Sequence, residues 1–559
     1  MWSRVDESAH YDLIDQYAHG VAPLEGSTLI RPETLDLMRR TGVYRWDVYV
    51  APQPAPAFTP QPAGLEGERR LAWMRRHVWQ YSYETVQPPL AYLVQLPVWT
   101  LGDLVGGPLG AVYAVRLLDA LVAALLAPLV WLLARAVAPT ATGLALALGL
   151  AVAVIPGHVL NETQVTNDSA ATVLGAALTL VAIAWSGAWT RRRVLLAGAL
   201  LGAALLVKLT LAGVALAVLV SVLWPAAGRG RARRLADALL LGGCAAACLA
   251  PWVLFNVAWF GALTQSAAAS GLNTVSVQPY TAGGLIGAAL NLWVTFWAGE
   301  PLLFTLRAGW PIAVVAALLC ILAGAGAIRL SRTPGPGVRR RALALCVAAL
   351  AGQLALTAIA PLTVGSGFLP PGRYLYPALA AGAVVAGVGL WRELPGRIAR
   401  GGAAAVYALA CLAAIGLYAV QGPAPPVGPT APPPAAASSL GLSGEGGFAG
   451  LQVQVDDVFA DRGSIGWVHL TISNRGTQAV EWSPMPSVVL DGRPAGGGFY
   501  LAGTPLPERI APGDTVSGWV VLHVTAGSLA SAHRIALRFP DVAPLDYSII
   551  GPIEISWNR

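Results

Sequence analysis

The sequence predicts a polytopic α-helical membrane protein with a C-terminal β-sandwich domain, and three observations carry that expectation. The 559 residues are 55% hydrophobic and only 12% charged, with a mean hydropathy of +0.60; soluble domains carry about twice that charged fraction. Apolar runs approaching the ~20 residues that a spanning helix needs recur between residues 110 and 420. Beyond a proline-rich stretch the pattern changes to the period-two alternation of strands.

The elements follow in order. Residues 1–109 are polar and mixed, a first loop with interfacial helices, punctuated by prolines at Ala51–Pro56. Within it, 89–104 is apolar but short and broken by Pro97 and Gly102, so an interfacial segment is expected there. About ten spanning helices are expected, near 110–135, 141–158, 168–187, 194–207, 209–225, 236–256, 310–329, 342–362, 374–391 and 402–420. The apolar stretch 283–299 is expected to lie on the membrane or re-enter it. Residues 110–420 thus form the membrane domain, 421–439 a Pro/Ala-rich, semi-rigid linker, and 440–559 the β domain. There, Leu451–Val455 and Val468–Ile472 alternate apolar and polar, with turns at Asn474–Gly476, Asp491–Gly492 and Pro512–Asp514, a pattern of immunoglobulin-like type.

The arginines set the orientation. Arg191–Arg193, then Arg229, Arg231, Arg233 and Arg234, then Arg339–Arg341, then Arg392, Arg397 and Arg400 fall in alternate loops, which the positive-inside rule places in the cytoplasm. The loops at 1–109, 157–168, 257–308 and 363–373, and the β domain, then face the extracytoplasmic side of the cell membrane. Clustering in short loops also accounts for the net charge of +7 and excludes a nucleic-acid partner. Residues 1–20 contain no apolar core of signal-peptide length. All five cysteines lie inside apolar stretches; Cys244 and Cys248, four apart with no accompanying His, read as packing residues.

Candidate chemistry gathers on the outer loops. Asp6 and Glu7 are adjacent, so on a helix they point about 100° apart and only one faces a given site. A carboxylate beside a membrane cavity serves as a general base or a divalent-cation ligand; the plainer role is an acid at a helix N-terminus. Glu162, Asn167 and Asp168 lie on a second outward loop, where Asn167 or Asp168 also suits helix capping. His158 stands at that loop's start. Lys208 is the only lysine in the chain, between two apolar runs; an intramembrane cation is costly and either paired, functional or snorkelled. Arg373 sits at the mouth of a later span, and Arg116 with Asp119 reads as an internal ion pair. Acids able to activate a hydroxyl beside cations able to grip a phosphate describe transfer from a lipid-phosphate donor.

The order Asp6-Glu7-x-x-His10, Gln87-Pro88-Pro89-Leu90-x-Tyr92, Arg116-Leu117, Thr166-Asn167-Asp168, Gly198-x-x-x-Gly202 through Lys208 and Gly372-Arg373-Tyr374 resembles the GT-C superfamily of membrane glycosyltransferases, in the protein mannosyltransferase and aminoarabinose transferase branch, over residues 1 to about 420. The resemblance implies a GT-C-like fold and a sugar on polyprenyl phosphate as donor, transferred with inversion to an extracytoplasmic glycan, lipid or protein. It implies Asp6 as general base, Glu7 assisting it or holding a divalent cation where one is used (with Asp168 as a further ligand), and His10 orienting the acids. Glu162, Asn167 and Asp168 would supply second-loop polarity, and Lys208 and Arg373 would face the donor phosphate. Such proteins carry a transmembrane helix before the first-loop acid; Asp6 follows Met1 by five residues, so an upstream start, a cut chain or an absent helix is expected. Gln87 replaces the histidine common before the paired prolines. The alternatives are a transporter or flippase of lipid-linked glycans, which calls for inverted repeats and polar midplanes where this chain has Ala, Leu and Val, and a non-catalytic cell-envelope membrane protein.

Overall fold

The computed structural model describes residues 6–21, 29–41, 59, 61–77, 82–225, 228–263, 282–299, 302–332, 337–364, 370–394, 396–421, 433, 435–461, 465–483, 486–499, 506–524 and 529–559. The prolines at Ala51–Pro56, most of the linker, and residues 264–281 and 300–301 of the loop between 257 and 308 lie outside them.

Three short helices come first: α1 (Glu7–Ala18), α2 (Pro32–Thr41) and α3 (Gly67–Arg76), then a 3-10 turn at Tyr83–Val86. The helical body follows: α4 (Leu90–Ala124), α5 (Leu126–Val137), α6 (Thr142–Ala153), α7 (Pro156–Glu162), α8 (Asp168–Ala184), α9 (Arg191–Val207), a 3-10 turn at Leu209–Leu211, α10 (Ala212–Leu223), α11 (Arg231–Phe260), α12 (Ala282–Ala298), α13 (Leu302–Arg332), α14 (Gly337–Val364), a 3-10 segment at Gly372–Ala378, α15 (Leu379–Glu393) and α16 (Gly396–Gln421).

Among the described residues, six stretches are long and apolar enough to cross a membrane: Leu90–Val137, Arg231–Trp259, Ile312–Leu330, Arg339–Ile359, Gly372–Glu393 and Ile398–Gly416. Together with the composition they make this a membrane protein. The count is below the ten expected because several apolar runs are interrupted. The 141–158 run is bent by 57° between α6 and α7, and Asp168–Ala184, Leu209–Leu223 and Leu285–Ala298 are shorter apolar helices. Asp168 and Lys208 stand at two of the interruptions.

The region expected as an interfacial segment followed by a span forms two helices joined at a sharp reversal within α4. At Gly106–Gly107 the backbone leaves helical geometry, and Gly107 takes φ 63°, a left-handed conformation open to glycine. The reversal brings Gln95 Nε2 to 2.8 Å from Asp119 Oδ1, residues that a straight helix would hold about 36 Å apart. Small residues set other crossings. Gly198 and Gly202 of α9 abut Cys244 and Cys248 of α11, and all five cysteines are free. Gly326 of α13 lies against the Gly389 carbonyl of α15, which in turn faces Ala323. Without a hydrophobic force between helices in lipid, such close backbone approach supplies the packing contact.

The C-terminal strands are β1 (Ser438–Ser439), β2 (Gly444–Phe448), β3 (Leu451–Ala460), β4 (Ile465–Asn474), β5 (Val480–Glu481), β6 (Ser487–Leu490), β7 (Arg493–Phe499), β8 (Arg509–Ile510), β9 (Thr515–Val524), β10 (Arg534–Pro544) and β11 (Gly551–Asn558). Their pairings form one antiparallel ladder, β1-β3-β4-β9-β7-β6-β10-β5-β8, with β2 on β3 and β11 on β10. The β6–β7 hairpin turns on Asp491 (φ 49°) and Gly492 (φ 78°), both left-handed as a two-residue hairpin requires. The two strands off this path come together, and Trp557 Nε1 of β11 donates to the carbonyl of Ser443, just before β2, at 2.7 Å. Inside lie Val453, Val455, Leu470, Ile472, Leu522, Leu537 and Phe539.

Candidate functional site

The first helix is polar in sequence yet buried almost all round, with Glu7, His10, Asp12, Asp15 and Gln16 among its buried residues. Burying that much polarity is costly without partners, and the partners are present. Asp15 takes Arg31 Nε at 2.7 Å and Thr34 Oγ1 at 3.0 Å, and Asp12 takes the Arg31 amide at 2.8 Å. These bonds fasten α1 to the segment leading into α2 and fix the direction of its N-terminal face. Burial pushes the Asp12 carboxyl up to about 6.

Asp6 caps α1 from a left-handed conformation, φ 60° and ψ −16°. A non-glycine residue held there is strained unless its surroundings over-determine it, and they do: Asp6 pairs with Arg373. Glu7 turns the other way, as adjacency on a helix demands. Arg116 forks onto it, Nε to Oε1 at 2.6 Å and Nη2 to Oε2 at 2.7 Å, and the Val165 amide donates to Oε1 at 3.0 Å. Glu7 therefore ties α1 to α4 and to the loop before α8. Asp119 accepts from Gln95 and from the Thr166 amide (3.1 Å), so Arg116 and Asp119 serve different neighbours.

One turn after Asp6, His10 presents its ring on the same face, where Nδ1 lies 2.8 Å from the Tyr92 hydroxyl and 3.6 Å from Glu84 Oε2. Glu84 comes from the 3-10 turn that precedes Pro88-Pro89. Burial, reinforced by Asp6, raises its carboxyl to about 8, and burial lowers His10 to about 3. Near neutral pH this corner thus holds a neutral imidazole beside a mainly protonated carboxylic acid.

The two cations arrive from breaks in the helical body. Between α9 and the Leu209–Leu211 turn the backbone at Lys208 is extended, which drops the side chain inward. Lys208 pairs with Asp168 at the start of α8, donates to Asn167 Oδ1 at 3.1 Å, and lies 6.0 Å from the centre of the Tyr374 ring. Arg373, from the 3-10 segment before α15, reaches Asp6 and comes within 3.8 Å of Asp168. Asn167 Nδ2 also reaches Gln87 Oε1 at 3.4 Å. Gly372 has no room for a side chain, since a Cβ would collide with the Phe296 amide. That close approach seats Arg373 at the cavity.

Asp6, His10, Glu84, Gln87, Lys208, Arg373 and Tyr374 line a common cavity of about 240 Å³, completed by Val86, Pro88, Leu209 and Thr210. Of the sequence candidates, Asp6, His10, Lys208 and Arg373 meet on its wall, with Asn167 and Asp168 bonded to Lys208 behind it. Glu7 and Glu162 do not line it. Glu162 is buried, accepts from Thr172 Oγ1 at 3.1 Å and lies 3.6 Å from His158. Glu84 was not among the candidates; its signal was an acid four residues ahead of Pro88. Ligand atoms of Asp6, His10 and Glu84 all fall within 4.8 Å of one another, while Glu7 is engaged by Arg116 and Asp168 by Lys208.

No family model and no curated protein matches the chain. Among solved structures it is similar to an oligosaccharyltransferase from Archaeoglobus fulgidus in its apo form, at 13% identity and TM-score 0.37, covering 73% of this chain and 50% of that one. It is also similar to the oligosaccharyltransferase AglB from Archaeoglobus fulgidus in complex with an inhibitory peptide and a dolichol-phosphate (14%, TM-score 0.36, 74% and 55%). A third is ArnT from Cupriavidus metallidurans in the apo state (18%, TM-score 0.26, 59% and 73%). The chain spans about half the length of the first of these. The likeness is loose, and the functional reading rests on the site.

Proposed function

We propose that the chain is a multi-pass membrane glycosyltransferase that takes a sugar from a polyprenyl-phosphate donor and passes it, with inversion, to an extracytoplasmic acceptor. The observation that carries this reading is the two-sided segment Gly372–Ala378. Arg373 and Tyr374 face the polar cavity with Asp6 and Lys208, while Leu375 and Ala378 line an apolar cavity of about 540 Å³ with Leu148, Trp293, Trp297 and Tyr407. A donor with an anionic phosphate on a long apolar chain fits that juxtaposition.

In the proposed step the acceptor hydroxyl gives its proton to the Asp6 carboxylate as its oxygen bonds to the anomeric carbon from the face opposite the phosphate. The bond from that carbon to the phosphate oxygen breaks, and its electron pair leaves on the phosphate. Lys208 and Arg373 stabilise the charge that develops there, as charges already in place before the reaction. His10 orients the acids, and Asp168 and Asn167 hold Lys208. Glu7, through Arg116, positions α1. In this reading the chain belongs with the protein mannosyltransferase and aminoarabinose transferase branch, and an immunoglobulin-like C-terminal domain positions the acceptor.

The test is Asp6→Asn assayed for transfer from a polyprenyl-phosphate-linked sugar. The expected result is loss of transfer by a factor of at least about 10², at unchanged expression. Transfer at the wild-type rate would overturn the assignment of the base.

A further inference from the structure

We propose that the C-terminal end of α10, where arginines from the start of α11 and from α14 meet, binds the headgroup of an anionic phospholipid. The segments 185–193, 224–237 and 337–341 carry ten arginines and a single acid, Asp237, which Arg229 already engages. Positive charge is therefore in large excess on this face. Three guanidinium groups close on the last residues of α10. Arg234 Nη1 donates to the Leu223 carbonyl at 3.0 Å, Arg229 Nη1 to the Val222 carbonyl at 3.5 Å, and Arg341 lies over the Trp224 ring, 5.8 Å from its centre. Cations at a helix C-terminus are favourable in themselves, but that role uses few of the five N–H groups each arginine carries. Arg341 donates to one acceptor among the described residues, the Ser186 carbonyl at 3.2 Å, and the Nε groups of Arg229, Arg234 and Arg341 have none. Most of these donors are left for an oxyanion.

The location makes the anion a lipid's. α10 and α14 run antiparallel, with Gly352 against the Gly213 carbonyl at one end and Arg341 over Trp224 at the other, and α14 contains the apolar stretch Arg339–Ile359. Arg341 therefore stands at the rim of the apolar belt, the level of phospholipid phosphates. In the adjoining loop Trp185 and Trp189 meet edge to face at 5.6 Å; with Trp224 they make the aromatic girdle of a membrane interface. Deeper by about 8–9 Å along their helices, Leu219 of α10 and Val347 of α14 are 38% and 47% exposed, a surface for acyl chains. Gly187, left-handed at φ 82°, leaves no room for a Cβ against Arg341 Nη1, so the loop before α9 is shaped around that guanidinium. A basic pocket between helices at this level suits an anionic headgroup, whereas a zwitterionic lipid brings its own ammonium group against the arginines. The cluster lies at the opposite end of α10 from Lys208, and the inference does not rest on the transfer reading.

The experiment is native mass spectrometry of the full chain released from detergent, after titration with phosphatidylglycerol or with phosphatidylcholine of the same acyl chains. The wild type is expected to retain phosphatidylglycerol about tenfold more tightly than phosphatidylcholine, since more than one arginine faces the headgroup. Arg341→Gln and Arg234→Gln should each weaken phosphatidylglycerol binding by about fivefold, and Arg538→Gln, on the exposed face of β10, should leave it unchanged. Arg234→Gln keeps the test open should Arg341→Gln misfold, which a shifted gel-filtration profile would reveal. Equal retention of the two lipids, or wild-type affinity in both pocket variants, would overturn the site. Displacement of the lipid by an equal concentration of inorganic phosphate would overturn a lipid as its occupant and leave a site for a soluble anion. Binding is measured with no sugar donor or acceptor, so a failure here leaves the transfer reading intact, and loss of that reading leaves the lipid site intact.

Discussion

Lys208 concentrates the residue-scale argument. Its side chain is 9% exposed and that of Asp168 is 5% exposed, so each charge depends on the other for compensation. Removing one partner of a buried pair leaves an unpaired charge, which costs about 3–5 kcal/mol, while removing both costs less. Lys208→Ala should therefore lower the thermal midpoint of the detergent-solubilised protein more than the double variant Lys208→Ala/Asp168→Ala does. Equal or greater loss in the double variant would mean that the pair does not compensate as drawn. The sequence identified Lys208 as the sole lysine and placed Asp168 on an outward loop, but the pairing joins residues 40 positions apart and was not legible there. Glu84 illustrates the opposite failure: an unremarkable acid in the sequence acquires its character from burial against Asp6 and His10.

At the scale of elements, interruptions do what long uninterrupted helices cannot. Asp6, Lys208, Asp168 and Arg373 all stand at helix ends or in short 3-10 turns, where the backbone can aim a polar group into the body. Hydropathy marked where the apolar runs lie and missed the bend between α6 and α7 and the reversal at Gly107, because a window average does not register one or two residues of non-helical backbone. The intact helices instead pack through small residues. Gly389 of α15 lies against α13 with no space for a Cβ, whereas Gly401 of α16 has nothing within 4 Å. Gly389→Val is expected to cost about 1–3 kcal/mol through overpacking, seen as a lower melting temperature, and Gly401→Val to change it little. Equal tolerance of the two would contradict the α13–α15 packing.

On the scale of the whole molecule, the first loop and the β domain share a small core. Leu65, Ala72 and Trp73 pack with Ala543 and Tyr547. Trp73 stacks on His77 at 4.3 Å between ring centroids, and the Tyr547 hydroxyl donates to Glu481 at 2.7 Å. Trp73 stands 11 positions ahead of Glu84 in the chain, so this core adjoins the segment that supplies one wall of the cavity. Trp73→Ala removes a side chain that is 1% exposed, a truncation that costs about 3–5 kcal/mol in a packed core. It should raise amide hydrogen exchange in β10 near Ala543 and at Tyr83–Val86. Faster exchange in β10 alone would show that the core anchors the β domain without steadying the cavity wall.

The division of labour between sequence and structure follows from the range of the forces involved. Composition and periodicity report on local partitioning into lipid or sheet, so by itself the sequence determined the membrane class, the apolar runs, the switch to strands and the Asp491–Gly492 hairpin. The adjacency of Asp6 and Glu7 even dictated that they face different ways. Which neighbour each one meets depends on crossings between distant helices. Only the tertiary structure could assign Glu7 to Arg116, set Asp6 against Arg373, and bring Glu84 into reach of His10, because burial and charge pairing act through space between residues that the chain keeps far apart.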